Sequence, residues 1–439
     1  MITAEVQNIK ASWLSDIPSH WNIVRLKTIV KGGTNGVWGS EPKNNKNDIV
    51  CVRVADIDEW QYGISQSHLT LRNISDTDQS GRLLKYGDLI IEKSGGGEIS
   101  QVGRVVIFNL NEKAVTSNFM ARLNVVGDIN KEFLYYYFRF LYYRRLNHPA
   151  IKATTGIQNL DLYAYLQNPI PIPTPKEQTE IVSFINYTSA KITHFIQTKQ
   201  RFIELLKEQR QTIITNAITK GVDDNTKTKN SGVEWLGNVP SYWKIVRLKF
   251  LGESFIGLTY SPIDLVDKDE GTFVLRSSNI QNGKFTTDDN VYVNKGIPKK
   301  LILKKGDILL CSRNGSAELI GKNILIDEES EGNSFGAFMT VFRSDLNYYL
   351  YYFFNSNVFK SQTALFATST INQLTNGILN NLTIAFPENI DEQKRIIEHI
   401  KTETATIDTA IAKAEREIEL IREYKEAMIA EAVMGKMKL

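Results

Sequence analysis

Several stretches hold residue types that do chemistry in other proteins, and each lacks a member which that chemistry needs. Gly315 to Gly321-Lys322 resembles a phosphate-binding glycine loop, but five residues separate the glycines, and Asn323 stands where a Ser or Thr would hold Mg²⁺. Asn168-Pro169-Ile170-Pro171 is not the Asn-Pro-Pro-aromatic motif with which amino-methyltransferases hold a target base. Lys31-Gly-Gly-Thr-Asn-Gly36 lacks the strand–turn–helix setting of a nucleotide loop. Asp88 with Glu92-Lys93 has the residue types of a nuclease metal site, but Glu and Lys are adjacent, and a matching stretch further on has Cys311-Ser312 instead. The five histidines are scattered and fit no metal spacing. The expectation is a chain without catalytic residues, metal or cofactor of its own.

Bulk composition agrees with an ordinary globular protein: 42% of the 439 residues are hydrophobic and 23% charged. The length leaves room for two to four domains, each with its own core. A net charge of +3 neither demands nor excludes nucleic acid, so any charge steering must come from local patches. Cys51 and Cys311 stand far apart in sequence and read as buried thiols in a reducing interior. No apolar run approaches 18 residues, and no signal-type segment opens the chain, which predicts a cytoplasmic protein without a membrane partner.

The elements that would position any site occur twice. Trp13-Leu-Ser-Asp-Ile-Pro18-Ser-His-Trp21-Asn-Ile-Val-Arg25-Leu-Lys27 returns as Trp235-Leu-Gly-Asn-Val-Pro240-Ser-Tyr-Trp243-Lys-Ile-Val-Arg247-Leu-Lys249. The offset of 222 residues is domain-sized, far beyond the roughly 20–50 residues of a solenoid or propeller repeat. Val52-Arg53-Val54-Ala55-Asp56-Ile57 returns as Leu275-Arg276-Ser277-Ser278-Asn279-Ile280, and Tyr86-Gly87-Asp88-Leu89-Ile90-Ile91 as Lys305-Gly306-Asp307-Ile308-Leu309-Leu310. Asn118-Phe119-Met120 matches Ala337-Phe338-Met339, and the aromatic run 133–138 matches 349–354. The stretches 31–47 and 257–269 share little, as divergent loops on a common scaffold would. The apolar runs after each Gly-Asp predict buried strands behind a turn, and the aromatic runs a helix on a sheet, though strand would also fit them. Each copy is therefore a mixed α and β domain.

Each copy ends alike. The proline series Pro169 to Pro175 predicts an extended path, and Glu177-Gln178 opens a helix reaching about Lys220 and stopped near Gly221. Phe386-Pro387 and Glu392-Gln393 repeat the boundary more loosely, before a helix stopped near Gly435. Some 40 residues at about 1.5 Å each make rods of roughly 60 Å. Apolar positions recur at 3–4 spacing, and adding 215 to those of the first rod generates nearly all those of the second; a 4–4 step at Thr188, Ile192 and Ile196 interrupts the heptads. Each rod could pack on its own domain, or the two could pair; matched length and register favour pairing. A pseudo-two-fold relation between the copies would make the pair antiparallel. The expected fold is thus α+β: two duplicated mixed domains, 1–175 and 222–390, with two long helices, 176–221 and 391–439, paired as an antiparallel coiled coil.

Together these blocks resemble the DNA-specificity subunit of type I restriction–modification enzymes. The features that match are Trp-x4-Pro-x2-Trp-x3-Arg-Leu at the head of each half, Gly-Asp-hydrophobic before a Ser/Gly or Ser-Arg-Asn-Gly loop, and the proline-bearing approach to Glu-Gln-x2-Ile. Each is weak alone, but the doubled set in order covers nearly the whole chain. The copies depart from each other at Lys93-Ser94-Gly95-Gly96-Gly97 against Ser312-Arg313-Asn314-Gly315, so these loops need not make the same contacts. The resemblance implies two target-recognition domains reading the halves of a bipartite site in double-stranded DNA. It implies helices that dock two methyltransferase subunits, and ATP-dependent restriction subunits as further partners. S-adenosylmethionine and ATP with Mg²⁺ would belong to those partners. A specificity subunit of another restriction system, with a fused nuclease–methylase partner, and a bivalent protein-binding adaptor are the alternatives.

Under this resemblance, arginine can read guanine, and Asn or Gln adenine, by paired hydrogen bonds in the major groove. Candidates at matched or near-matched places are Arg53 and Arg276, with Asn279 after the latter; Lys93, Arg313 and Asn314 in or beside the glycine-bearing loops; and Arg104 and Lys322. Asn35, Trp38, Asn44, Asn45 and Lys46, with Thr259, Tyr260 and Ser261, lie in the divergent stretches where sequence reading should concentrate. Any one of the charges could equally be solvated or structural. Arg25 and Arg247 read as scaffold or partner contacts, because shared residues cannot read different half-sites.

Overall fold

The computed structural model describes residues 12–14, 17–58, 63–67, 69–96, 101–154, 156–223, 225–281, 283–364 and 373–438. Ser15, Asp16 and Gly97, which belong to patterns named above, lie outside them. The chain divides into two compact units, Met1–Thr198 with Arg416–Leu439, and Lys199–Glu415.

The first unit opens with β1 (Asn22–Arg25), β2 (Val30–Asn35) and β3 (Asp48–Val52). β4 (Leu89–Glu92), β5 (Val105–Ile107), β6 (Ala114–Thr116) and β7 (Met120–Val125) follow, then α1 (Lys131–Tyr143) and β8 (Pro169–Ile172). One antiparallel sheet has the order β2-β7-β4-β5; β3 pairs in parallel with β6 and antiparallel with Leu71–Asn73. The Gly-Asp turn leads into β4, whose four residues are all buried. The aromatic run forms α1, with Asn130 as its N-cap, and buries Phe133 to Phe138 without interruption. Its Tyr137 hydroxyl donates to the Pro169 carbonyl at 2.6 Å. The prolines of β8 are tolerated because, among the described residues, β8 pairs only with β1, from Asn22↔Ile172 to Arg25↔Pro169.

The second unit repeats the plan. Its strands are β9 (Lys244–Arg247), β10 (Glu253–Ile256), β11 (Thr272–Leu275), β12 (Ile308–Cys311), β13 (Asn323–Leu325), β14 (Ser334–Phe335), β15 (Met339–Arg343) and β16 (Thr383–Phe386). The sheet order β10-β15-β12-β13, the parallel pair β11–β14 and the edge pair β9–β16 are the first unit's topology again. The aromatic helix α3 runs Asn347–Phe354.

The rods are α2 (Pro175–Lys220) and α4 (Ile390–Val433). Because the unit boundaries cut both, each unit holds the first half of one rod and the last half of the other. In the second unit the halves run antiparallel: Arg210 pairs with Asp408 at 2.7 Å and Lys207 with Glu415 at 3.9 Å, one number falling as the other rises. Buried Ile214, Ala217 and Ile218 of α2 correspond to Ile429, Ala432 and Val433 of α4 at the offset of 215. Both rods stop at glycines in the left-handed region, Gly221 (φ +75°) and Gly435 (φ +68°), where a Cβ would be strained.

The doubled sequence signature is a joint between domain and rod. Trp21 donates its indole N–H to Glu177 Oε1 at 3.1 Å, and Trp243 donates to Glu392 Oε1 at 2.9 Å. His20 and Tyr242 join the same oxygens at 2.7 and 2.8 Å. The following glutamines are buried and donate to proline carbonyls, Gln178 to Pro173 and Gln393 to Pro387. Thr174 and Glu177 also close a capping box at the start of α2.

Candidate nucleic-acid interface

In both units one edge brings together the ends of three elements: the turn before β7 or β15, the loop after β4 or β12, and the segment after β2 or β10. Backbone bonds fix the correspondence. Lys93 and Ser94 both donate their amides to the Phe119 carbonyl, and Ser312 and Arg313 donate theirs to the Phe338 carbonyl. Gly36 and Gly257 donate to Met120 and Met339. A Cβ at either glycine would lie only 2.1–2.4 Å from a carbonyl of the opposite turn, so only glycine lets the segments approach this closely. Lys93 therefore corresponds to Ser312, and Ser94 to Arg313.

In the second unit a cavity of about 460 Å³ opens at this edge, lined by Tyr260, Arg276, Arg313, Asn314 and Phe338 among others. Five residues singled out in the sequence, Thr259 with Tyr260, Arg276, Arg313 and Asn314, thus meet at one place. The exposed Arg313 guanidinium stacks 5.3 Å from the Phe338 ring. Asn314 accepts the Ser316 amide through Oδ1 at 3.0 Å. Arg276 pairs with Asp289 at 2.6 Å. Asn279 is wholly buried and donates to the Thr286 and Asp289 carbonyls, both at 3.2 Å; with Arg276 it closes a short turn. Lys322 donates to the Ser277 carbonyl at 3.1 Å. Ser261 caps another turn through Asp264.

The first unit places different groups on the same frame. Lys93 donates its ammonium to Asn35 Oδ1 at 2.6 Å, joining two candidates directly. Arg53 forms a 2.8 Å pair with Asp56, in the turn equivalent to that of Arg276. Arg104 is held on buried Glu92 at 2.8 Å; the counterpart of Glu92 is Cys311. Burial pushes the Cys51 thiol up to about 11, against a smaller opposing pull from Arg72. Trp38 lies under the Arg72 guanidinium at 4.5 Å. Asn44 occupies the left-handed region (φ +55°) in a loop that Asp48 ties down by accepting the Lys43 and Asn45 amides. Lys46 lies at the surface, 3.9 Å from Asp76. Arg25 and Arg247 reach Gln167 and Asn381 beside the β1–β8 and β9–β16 pairs, not the elements that form this edge.

Sequence reasoning did not assign the turn phenylalanines to this edge. Their signal was available, as the matched Asn118-Phe119-Met120 and Ala337-Phe338-Met339 blocks. Among the described residues no group of three or more His, Cys, Asp or Glu side chains could hold a metal, and no helix is long and apolar enough to cross a membrane.

The geometry defines a class: a duplicated recognition scaffold, conserved in its frame and variable in the polar groups of one edge. The model for the type I restriction modification DNA specificity domain matches residues 18–205 and 240–420, and the chain belongs to that family. The EcoKI specificity subunit of Escherichia coli is 29% identical over 208 residues, 46% of this chain, and the matched stretch spans only 44% of that relative. The MjaVIII specificity subunit of Methanocaldococcus jannaschii is 24% identical over 99% of this chain and 96% of its own. A chain from a solved structure on complex assembly and conformational transition of the type I restriction–modification system has the same fold, with a TM-score of 0.65 at 16% identity, over 96% of this chain and 100% of that one.

Proposed function

We propose that this chain is the DNA-specificity subunit of a type I restriction–modification complex, each unit reading one half of a bipartite duplex site. The observation that carries the reading is the contrast at one edge. Backbone bonds there are duplicated, while the side chains they present are Lys93 with Asn35 in one copy and Arg313, Asn314 and Tyr260 in the other. A frame that must hold the same shape on two different half-sites would evolve in this way. Phosphate contacts would position the units, and the variable polar groups would discriminate bases. The relatives named above are restriction enzyme specificity subunits, which supports assembly with methyltransferase and ATP-dependent restriction subunits. In this reading two methyltransferase subunits dock, S-adenosylmethionine and ATP with Mg²⁺ belong to the partners, and the rods set the gap between half-sites.

The test is methylation sequencing in a host that carries the partner methyltransferase. The expected product is a bipartite motif, and exchanging residues 12–175 for those of a relative should change one half only. Methylation of an undivided motif, or a change in both halves, would overturn the reading.

A further inference from the structure

Phe119 and Phe338 are large, apolar and exposed, at 45% and 59% of their surface. An isolated exposed phenylalanine needs no explanation, but this one is duplicated on an edge where the polar side chains have diverged. It is also held stiffly in both copies. The turn before it closes with Met120 N–H to Ser117 O (3.0 Å) and Met339 N–H to Gly336 O (2.8 Å). Its own carbonyl takes two amides from the neighbouring loop, at 2.8 and 3.1 Å in the first unit and 2.9 and 3.1 Å in the second. The residue beside it in each turn differs, Asn118 in one and Ala337 in the other. In the second unit Phe338 borders the cavity that holds Arg276 and Arg313.

A group identical in both readers cannot tell two half-sites apart, so its contact must be one that every sequence offers. The faces of stacked bases are such a contact, and an exposed ring on a firmly bonded backbone, in the second unit with Arg313 beside it, is suited to reach them. We propose that Phe119 and Phe338 are paired wedges, each pressing into one base step of its half-site and loosening the stack there. This rests on the DNA-reading function proposed above. The wedges would hold each unit at a fixed depth, and the divergent side chains would then read bases from that position.

The experiment uses the full subunit assembled with its methyltransferase, and duplexes bearing 2-aminopurine at each position of the mapped site except the methylated adenines. The expected result is a fluorescence rise at one step in each half. F119A should abolish the rise in one half and F338A in the other, each with about tenfold weaker binding, or about 1.4 kcal/mol. F338W should keep the signal. A duplex bound tightly with no rise, or a rise unchanged in both alanine variants, would overturn the wedge while leaving DNA reading intact. Failure of the wild-type assembly to bind any duplex would overturn the DNA reading itself, and the wedge with it. Both rings are exposed, so the alanine variants should fold, as matching thermal melts would verify.

Discussion

The two Gly-Asp turns face the same problem and solve it with arginines two residues apart. In the second unit Arg343 lies directly opposite Asp307 across the β12–β15 ladder and grips it with two bonds, 2.8 and 2.6 Å. In the first unit the arginine sits at Arg122, two places earlier in β7, and reaches Asp88 only at 4.0 Å, while Lys131 approaches to 3.2 Å. Yet the guanidiniums tie down matching loops: Arg122 donates to the Gly81 and Leu83 carbonyls, and Arg343 to those of Lys300 and Ile302. The copies keep the interaction and let its address drift. Strand geometry permits this, because positions two apart share a face.

This contrast predicts the largest effect. Arg343→Ala strands a buried carboxylate and should cost the second unit about 3–5 kcal/mol. Arg122→Ala should cost the first unit less, since Asp88 is more exposed and retains Lys131. Hydrogen exchange followed unit by unit would report each loss. Equal losses, or the opposite order, would break the comparison.

A second contrast concerns the recognition edge. Arg313 presents a guanidinium stacked on Phe338, whereas Lys93 is already bonded to Asn35. Arg313→Ala should weaken binding to the cognate duplex by about 1–3 kcal/mol, if it makes a bidentate base contact, and relax one half-site. Lys93→Ala should do less, because the wild-type lysine must first release Asn35. Unchanged affinity in a folded Arg313→Ala protein would sink that assignment.

The rods differ as well. At the offset of 215, Arg210 corresponds to Lys425; the former is paired with Asp408 at the surface, the latter is buried. Burial lowers the Lys425 ammonium from 10.5 to about 8, partly offset by Glu426. Between those values the unfolded chain binds the proton and the folded chain does not, so stability should rise with pH from about 8 to 10.5. Lys425→Met should stabilise the first unit and flatten that slope; a slope unchanged in the variant would mean that another group is responsible.

The frame was legible in the sequence because its signals are local. Gly-Asp before an apolar run, an aromatic run behind an N-cap, alternating prolines and a 3–4 periodicity each constrain their own backbone. The joint was half legible: the Trp and Glu-Gln blocks stood out, but their bond spans 156 residues, and nothing local says that one accepts from the other. The edge was least legible. Arg276, Arg313, Asn314 and Tyr260 meet at one cavity, while Asn279, drawn from the same pattern, is buried in a turn. Residue type alone does not separate a carboxamide facing solvent from one consumed by nearby carbonyls. The phenylalanines had the opposite problem, since an apolar side chain in a repeat suggests core until its exposure is known.

The smallest predicted effect tests whether each joint fastens its own unit alone. Burial works against the charge of Glu177, but hydrogen bonds from Thr174, His20 and Trp21, with the Thr174 amide, outweigh it and hold the carboxyl at about 2. The folded value lies below the ordinary 4.5, so its stabilisation is complete above that pH and fades as the pH falls toward 2. Glu177→Gln keeps an oxygen for the indole N–H but has no carboxyl to protonate, so the acid sensitivity of the first unit should flatten between pH 4.5 and 2. The second joint offers Glu392 a tyrosine hydroxyl in place of the histidine, beside the same indole donor. Glu392→Gln keeps an acceptor oxygen for both donors, so it should loosen the second unit only slightly and leave the first unchanged, as hydrogen exchange followed unit by unit would show. If either variant altered both units equally, the joints would act as one coupled hinge and not as two local fastenings.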